Sequence, residues 1–337
     1  MSKRTDTTNA MMKSNRKDLQ AKKDKKAIIP VFFAVDDKYA PYLCVALRSL
    51  IDNSSKRNCY RIYVLIEALS DENKSILSEM QTENVRLEFV NVSQKLKTIC
   101  ARLHLRDYYT KATYYRFFIP ELFTEYDRGV YLDCDIILTA DVAALYRCPM
   151  GKNLVAAVND EIISDIDVFS RYSETVLGIS RHDYFNAGIL VMNLKEMRSM
   201  RIEEQFATLL GQRTYRVAQD QDYLNKLCHG RVHLLPLKWN KTPMPGSDER
   251  ILPKIAHYKI NYKPWKYDGI PYGELFWQYA AKTPFFEQLT QEKAQYSEAE
   301  KLRDRNQYLT LEELAEEEVR REIGDGIRSH ALAFAEG

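Results

Sequence analysis

Asp133 and Asp135 stand one residue apart, directly after the apolar run Val130-Tyr131-Leu132. In a strand, side chains at i and i+2 point to the same face. The spacing therefore predicts two carboxylates projecting together from the end of a buried strand. Carboxylates held that close repel unless something positive lies between them. A divalent cation that prefers oxygen ligands, Mn²⁺ or Mg²⁺, satisfies the pair and can be shared with a phosphate-bearing substrate. Spacing alone does not single this pair out, because Asp165/Asp167 and Asp220/Asp222 repeat it. Context does: only the first pair has an apolar run before it and a second, Ile136-Ile137-Leu138, after it. The plainer alternative is a solvated pair at a strand end.

The elements that would position this pair come in a regular order. Ile28 to Val35 is a near-continuous apolar run, the pattern of a strand buried on both faces, and it stops at Asp36-Asp37. Pro41 suits a first helical turn, and Leu43, Ala46, Leu47, Leu50 and Ile51 form an apolar stripe ending near Asn53-Ser54-Ser55. Arg61–Ile66 reads as a second strand. Ser70 can cap a second helix with Asp71 and Glu72 in its first turn, and Val85–Val90 alternates as a third strand. Strand, helix, strand, helix, strand predicts a right-handed parallel α/β unit, in which ligands bind beyond the carboxyl ends of strands. Asp36, Asp37, Asp133 and Asp135 all fall at such ends, although an acidic turn that merely caps a helix explains the first two equally well.

Further candidates follow. Arg116 is the one charge inside the aromatic segment Tyr114–Ile119, and a lone charge there demands an acidic partner or ligand. Leu154–Val158 reads as a short strand ending at Asn159-Asp160. Residues 161–183 lack a pattern and are expected to form a mobile loop over the site. Strand character returns over Tyr184–Asn193, where Asn186-Ala187-Gly188 offers an amide and bare backbone to a ligand, or a bulge. Gln219-Asp220-Gln221-Asp222 opens a helix ending at Gly230; its acids suit capping, and its amides suit a polyhydroxylated sugar. His257 follows the apolar Ile255-Ala256, and read alone it is a structural histidine more readily than a ligand. Lys263-Pro264-Trp265 sets a cation beside a rigid turn.

Composition bounds the rest. With 337 residues, 45% hydrophobic and 28% charged, a globular core is expected. The net charge of +2 points to no particular partner, nucleic acid included. The six cysteines form no Cys-x-x-Cys pair, so zinc and redox motifs are not expected and buried thiols are. No apolar run approaches 18 residues, and the basic N-terminus has no apolar segment behind it, so a cytoplasmic location is the default expectation. Residues 1–27 carry nine Lys and Arg, all within the first 26, and are expected to be a disordered tail. That tail is either solubilising or drawn to anionic lipid at the inner membrane face. Residues 286–337 are rich in Glu, Gln, Lys and Arg. They are expected to be an amphipathic helical extension that docks on the core or a partner.

Taken in order, six segments resemble glycosyltransferase family 8, the retaining sugar transferases that include lipopolysaccharide galactosyl- and glucosyltransferases and glycogenin. They are Phe33–Tyr39, Thr113–Arg116, Tyr131–Asp135, Tyr184–Gly188, Gln219–Asp222, and His257-Tyr258 with Lys263–Trp265. The resemblance covers about residues 28–285. It implies an α/β fold of the GT-A kind with a mostly parallel sheet. It implies Asp133, Asp135 and His257 as ligands of Mn²⁺, with Mg²⁺ as the alternative, and so reverses the structural reading of His257. Lys263 would support the phosphates of UDP-glucose or UDP-galactose. Ala34 and Asp36 would meet the nucleoside. Arg116, Asp160, Asn186, Ala187, Asp220 and Gln221 would meet the donor sugar or its phosphate. The implied reaction is retaining transfer of a hexose to a hydroxyl of a glycan, glycolipid or protein. It proceeds either through a covalent adduct on Asp220 or Gln221, or by acceptor attack from the face that UDP leaves. Two positions depart from the family: Ile260 stands where relatives often have Gly, and Lys38 where they often have Asn. Competing readings are an aspartate-nucleophile phosphatase and a transferase domain that has lost catalysis and binds a partner.

Overall fold

The computed structural model describes residues 27–97, 99, 111–244 and 251–335, and side chains as far as residue 324. The basic tail, Cys100 and residues 245–250 lie outside them. Strand β1 (Ala27–Ala34) pairs in parallel with β2 (Asn58–Ile66), and β2 with β3 (Val85–Asn91). The crossovers are α1 (Ala40–Asp52) and α2 (Asp71–Glu79). Pro41 sits in the first turn of α1, and the Ser70 side chain accepts from the Asn73 amide at the start of α2. From Ile29 to Val35 β1 and the residue after it are buried, as the apolar run requires, while β3 at the sheet edge alternates and shows Arg86 and Glu88 to solvent or part-solvent.

The chain then returns to the other side of β1. Strand β4 (Gly129–Leu132) pairs in parallel with it. Strands β5 (Ile136–Leu138), β6 (Val155–Ala157), β7 (Ile189–Met192), β8 (Val232–Leu234) and β9 (Ile255–His257) complete the set. The main sheet runs β3-β2-β1-β4-β7-β6-β8, with β7 antiparallel to both its neighbours, and β5 and β9 form a separate antiparallel ribbon. The order reverses between β1 and β4, and the crevice beyond the carboxyl ends of such a pair is where open α/β sheets bind ligands. Asp36 follows β1 and Asp133 follows β4, so the topology delivers both to that crevice.

Two expectations need correction. Asp133 and Asp135 do not lie in a strand: β4 ends at Leu132 and β5 begins at Ile136, so the pair occupies the turn between them. Their convergence comes from the bend and from pairing of β5 with β9, not from strand alternation. Residues 161–183 are largely helical rather than a loop. Helix α3 (Glu161–Asp165) and α4 (Asp167–Tyr172) run into a π-helical turn at Ser173–Leu177. Ile162, Ile163, Phe169, Tyr172, Val176 and Leu177 are buried there, giving the segment a core of its own.

What covers it is the C-terminal helix. Helix α6 (Glu298–Ala335) packs on α4 and the π turn, burying Leu311, Leu314 and Ala315; helix α5 (Asp220–Cys228) precedes it in the chain. Burying a leucine contributes about 1.5–3 kcal/mol, which favours docking over a free extension. Arg216 pairs with Glu317 and Glu318 at 3.2 and 3.0 Å, and Arg213 with Glu322. The acidic cluster thus finds its cations on the core. Among the described residues no helix is long and apolar enough to cross a membrane. Cys44, Cys134 and Cys228 are buried free thiols, and Cys59 and Cys148 are free and partly buried.

Candidate active site

A cavity of about 200 Å³ opens at the crevice between β1 and β4. The twelve residues to which the resemblance assigns a site role all line it: Ala34, Asp36, Arg116, Asp133, Asp135, Asp160, Asn186, Ala187, Asp220, Gln221, His257 and Lys263. Ala34 ends β1 and its carbonyl accepts from the Cys134 thiol at 3.3 Å. Asp36 Oδ1 accepts from the Tyr39 amide at 3.1 Å, so it caps a turn and also edges the cavity. Asp37 points elsewhere. It ties the end of β1 to α2 through Ser70 and Asn73, and the Ser70 amide holds its carboxyl below the usual range. Lys38 is exposed.

Pairing of β5 with β9 brings the three candidate ligands together. Ile136 lies opposite His257, which swings the imidazole onto the turn that carries the acids. His257 Nε2 is 3.1 Å from Asp135 Oδ1 and 3.7 Å from Asp133 Oδ2. One ligand atom from each of the three lies within 4.8 Å of the others, and among the described residues they are the group of this kind. Gly188 makes the room. A Cβ built on it would stand 2.3 Å from His257 Cε1 and 2.5 Å from Asp133 Oδ2, closer than atoms tolerate. Two carboxylates and an imidazole around a shared centre, with a bare backbone beside them, are a donor set that would suit a divalent cation such as Mn²⁺ or Mg²⁺.

Cations surround the acids. Lys263 bonds Asp135, and together with His257 it holds the Asp135 carboxyl well below its usual range although burial opposes this. Arg116 is buried, and its partners are internal: Asp133 at 3.0 Å, Asp220 at 3.2 Å, the Ala187 carbonyl, and the Tyr131 ring 4.3 Å from its guanidinium carbon. Burial works against its charge, yet Tyr131, Asp220 and Asp133 raise its pKa above the ordinary arginine value. Asp160 is held low in spite of burial, chiefly by Lys259 at 3.4 Å.

The helix start at Asp220 shows a different balance. Burial pushes the Asp220 carboxyl up to about 7; Arg116 counters this only in part, and Asp133 adds to it. Gln221 is fully engaged: its Oε1 accepts from the Ala187 amide at 2.9 Å and from Asn186 Nδ2 at 3.0 Å, and its Nε2 donates to Asp160 at 3.3 Å. Asp222, facing away from the cavity, accepts from Tyr184, Tyr172 and the Ala218 amide at 2.7, 2.9 and 2.9 Å. Strained backbone flanks the site. Gln219 has φ +48° and Ile260 φ +50°, and the latter is a true outlier for a β-branched residue. Ile260, which stands where the resemblance expects glycine, therefore adopts a left-handed backbone without one.

Sequence reasoning missed several contributors. Asn240 holds His257 Nδ1 at 2.9 Å, and nothing local marks it. Lys259, two residues after His257, pairs with Asp160 and was not singled out. Leu311 reaches the cavity from the C-terminal helix. Tyr131 donates to Asp133 Oδ1 at 3.0 Å, which its place in the apolar run concealed.

Comparison with known proteins agrees with this geometry. Residues 30–269 match the model of glycosyl transferase family 8. A putative glycosyltransferase of Haemophilus influenzae is 28% identical over 253 residues, which is 70% of this chain and 72% of that one. The apo structure of the bifunctional glycosyltransferase WbbM superposes with a TM-score of 0.71 at 29% identity, over 80% of this chain and 52% of that one, so this chain spans about half of WbbM. The galactosyltransferase LgtC, solved with donor and acceptor sugar analogs, superposes with a TM-score of 0.64 at 26% identity, over 76% of this chain and 96% of that one. These likenesses assign the mostly parallel sheet and its crevice to the GT-A fold, and with the family match spanning the whole β1–β9 region, this chain is a member of glycosyl transferase family 8.

Proposed function

We propose that the protein moves a hexose from UDP-glucose or UDP-galactose to a hydroxyl of a glycan acceptor, such as lipopolysaccharide core, with the anomeric configuration retained. The observation that carries this is the convergence of Asp133, Asp135 and His257 at the mouth of the β1/β4 crevice, backed by Lys263. A divalent cation bound there supplies positive charge to the departing diphosphate. Lys263 adds a second positive charge on the same side. Ala34 and Asp36 bind the nucleoside end, and Arg116, Asp160, Asn186, Ala187, Asp220 and Gln221 bind and orient the sugar end. Catalysis then rests mainly on positioning and on charge stabilisation of the leaving group.

Two observations favour attack by the acceptor from the face that UDP leaves. Gln221 Oε1 already accepts two N–H bonds, and an amide is a poor nucleophile. Asp220 is pressed against Arg116 and tends to hold its proton near neutrality. In this route the acceptor oxygen bonds to the anomeric carbon as the carbon–oxygen bond to the β-phosphate breaks, and the acceptor's proton passes to a β-phosphate oxygen. The test is release of UDP from each nucleotide sugar in the presence of Mn²⁺ and glycan acceptors. Activity that disappears in Asp135→Ala supports the reading. Nucleotide-sugar-independent hydrolysis of phosphomonoesters, or binding without turnover, overturns it.

A further inference from the structure

We infer that helix α6 supplies one wall of an acceptor subsite for a pyranose ring, with Leu311 as its specificity-determining residue. The inference deepens the function proposed above and rests on it for the word acceptor. Six apolar side chains line the cavity on elements that meet around α6: Ile162, Ile163, Phe169, Val217, Ile260 and Leu311. Ile162 and Ile163 stand on α3, which packs on α4, and α4 packs on α6. Phe169 of α4 meets Tyr308 of α6 edge-on, ring centroids 6.3 Å apart. Val217 follows Arg216, which pairs with Glu318 of α6 at 3.0 Å. Ile260 precedes Asn261, whose amide donates to the Asp304 carbonyl of α6 at 2.9 Å.

The helix is therefore fastened on both sides of the cavity. Toward the Lys263 loop, the Asp304 carboxylate accepts from Tyr267 and Tyr296 at 2.9 and 2.6 Å and pairs with Lys266 at 3.3 Å. Toward the Asp220 loop, its glutamates hold Arg213 and Arg216. Leu311 lies between these anchors and reaches the cavity. The wall stands at the sugar end. Asp160 Oδ1 accepts from the Ile162 and Ile163 amides at 2.9 and 3.2 Å, and Val217 lies three residues before Asp220. The donor's hydroxyls have polar partners there, whereas a second pyranose brings a face of C–H groups that gains by leaving water. Attack from the face that UDP leaves needs the acceptor oxygen about 3–3.5 Å from the anomeric carbon, so the acceptor ring must sit beside the donor sugar. Helix α6 begins at Glu298, beyond the family match over residues 30–269, so this wall is added to the part that carries the shared chemistry.

The test uses the full-length protein with the methyl α- and β-glycosides of glucose and galactose as probes. Saturation-transfer NMR, with UDP and Mg²⁺ present and the protein methyl groups irradiated, reads which ring protons of the glycoside lie against apolar side chains. Acceptor and donor KM are then measured with Mn²⁺ and both UDP-sugars. The expected map is strongest on the C–H protons of one ring face. Leu311→Ala should raise the acceptor KM by about tenfold and the donor KM far less, and Leu311→Met should restore both. Leu314 is the matched control: it is buried on the same helix to the same 7% exposure as Leu311 but does not line the cavity. Leu314→Ala should leave both KM values within a few-fold of wild type. Equal effects of Leu311→Ala and Leu314→Ala overturn the wall, as does a wild type that turns over a UDP-sugar yet shows no transfer of saturation to any glycoside. A wild type that holds the glycoside by its C–H face but turns over no UDP-sugar supports the pyranose site and sinks the transferase reading instead. The wild-type map stands even if Leu311→Ala fails to fold.

Discussion

Three Asp-x-Asp pairs share one spacing and meet three fates. Asp133/Asp135 sits in a turn between two strands, so both side chains turn toward His257 and the cavity. Asp220/Asp222 starts a helix, where residues two apart diverge by more than half a turn: Asp220 meets Arg116 in the cavity and Asp222 is buried behind it between two tyrosines. Asp165/Asp167 is exposed, with Asp167 3.6 Å from Arg181. What separates the pairs is the backbone they sit on and what faces it. A sequence motif names the carboxylates, but the local geometry decides whether they share a ligand.

Exchanging the lesions tests that contrast most sharply. Asp135→Asn should remove measurable Mn²⁺ binding and transfer, read by calorimetry and UDP release. Asp222→Ala should do the reverse, lowering unfolding free energy by about 2–3 kcal/mol in denaturant titrations because two phenols and an amide lose their acceptor, with Mn²⁺ affinity within a few-fold of wild type. Comparable loss of metal binding in both would erase the distinction. Within the second pair, Asp220→Asn should cut kcat by about 10²–10³-fold while sparing Mn²⁺ affinity, and mass spectrometry should trap no glycosyl-enzyme; an adduct on Asp220 or Gln221 would reverse the mechanistic preference. Gly188→Ala fills the space beside the first pair and should weaken Mn²⁺ binding by about 10–100-fold.

The pairs also differ in pH response. The folded pKa values of Asp220 and Asp222, about 7 and about 6, lie above the ordinary 3.8. Their contribution to stability is complete below the unfolded value and is lost as pH rises through 6 to 7. Asp135 and Asp160 are shifted downward, so theirs is present above the ordinary value and is lost only in stronger acid. Metal-free protein should therefore melt at a higher temperature near about pH 5 than near about pH 8, and the Asp220→Asn/Asp222→Asn double variant should flatten that difference. The smallest effect belongs to the exposed pair: Asp165→Ala and Asp167→Ala should each stay within about 0.5 kcal/mol of wild type in unfolding experiments.

Legibility followed the range of the forces involved. The alternation over residues 28–93 was readable because apolar periodicity, Pro41 and the Ser70 cap act within a few residues. The segment over 161–183 was misread because its apolar residues are irregularly spaced and find their cover on a helix more than a hundred residues later. His257 looked structural until the family resemblance was weighed, since its partners are distant in the chain.

From its residues alone the chain declared a parallel α/β frame and a set of charged and amide side chains at strand ends, because hydrophobic patterning and capping are local. Tertiary structure alone decided which acids converge, that Asn240 faces His257, and that Leu311 reaches the cavity. Those outcomes depend on strand pairing and helix docking between remote segments, which bring side chains within bonding distance in ways no single stretch encodes.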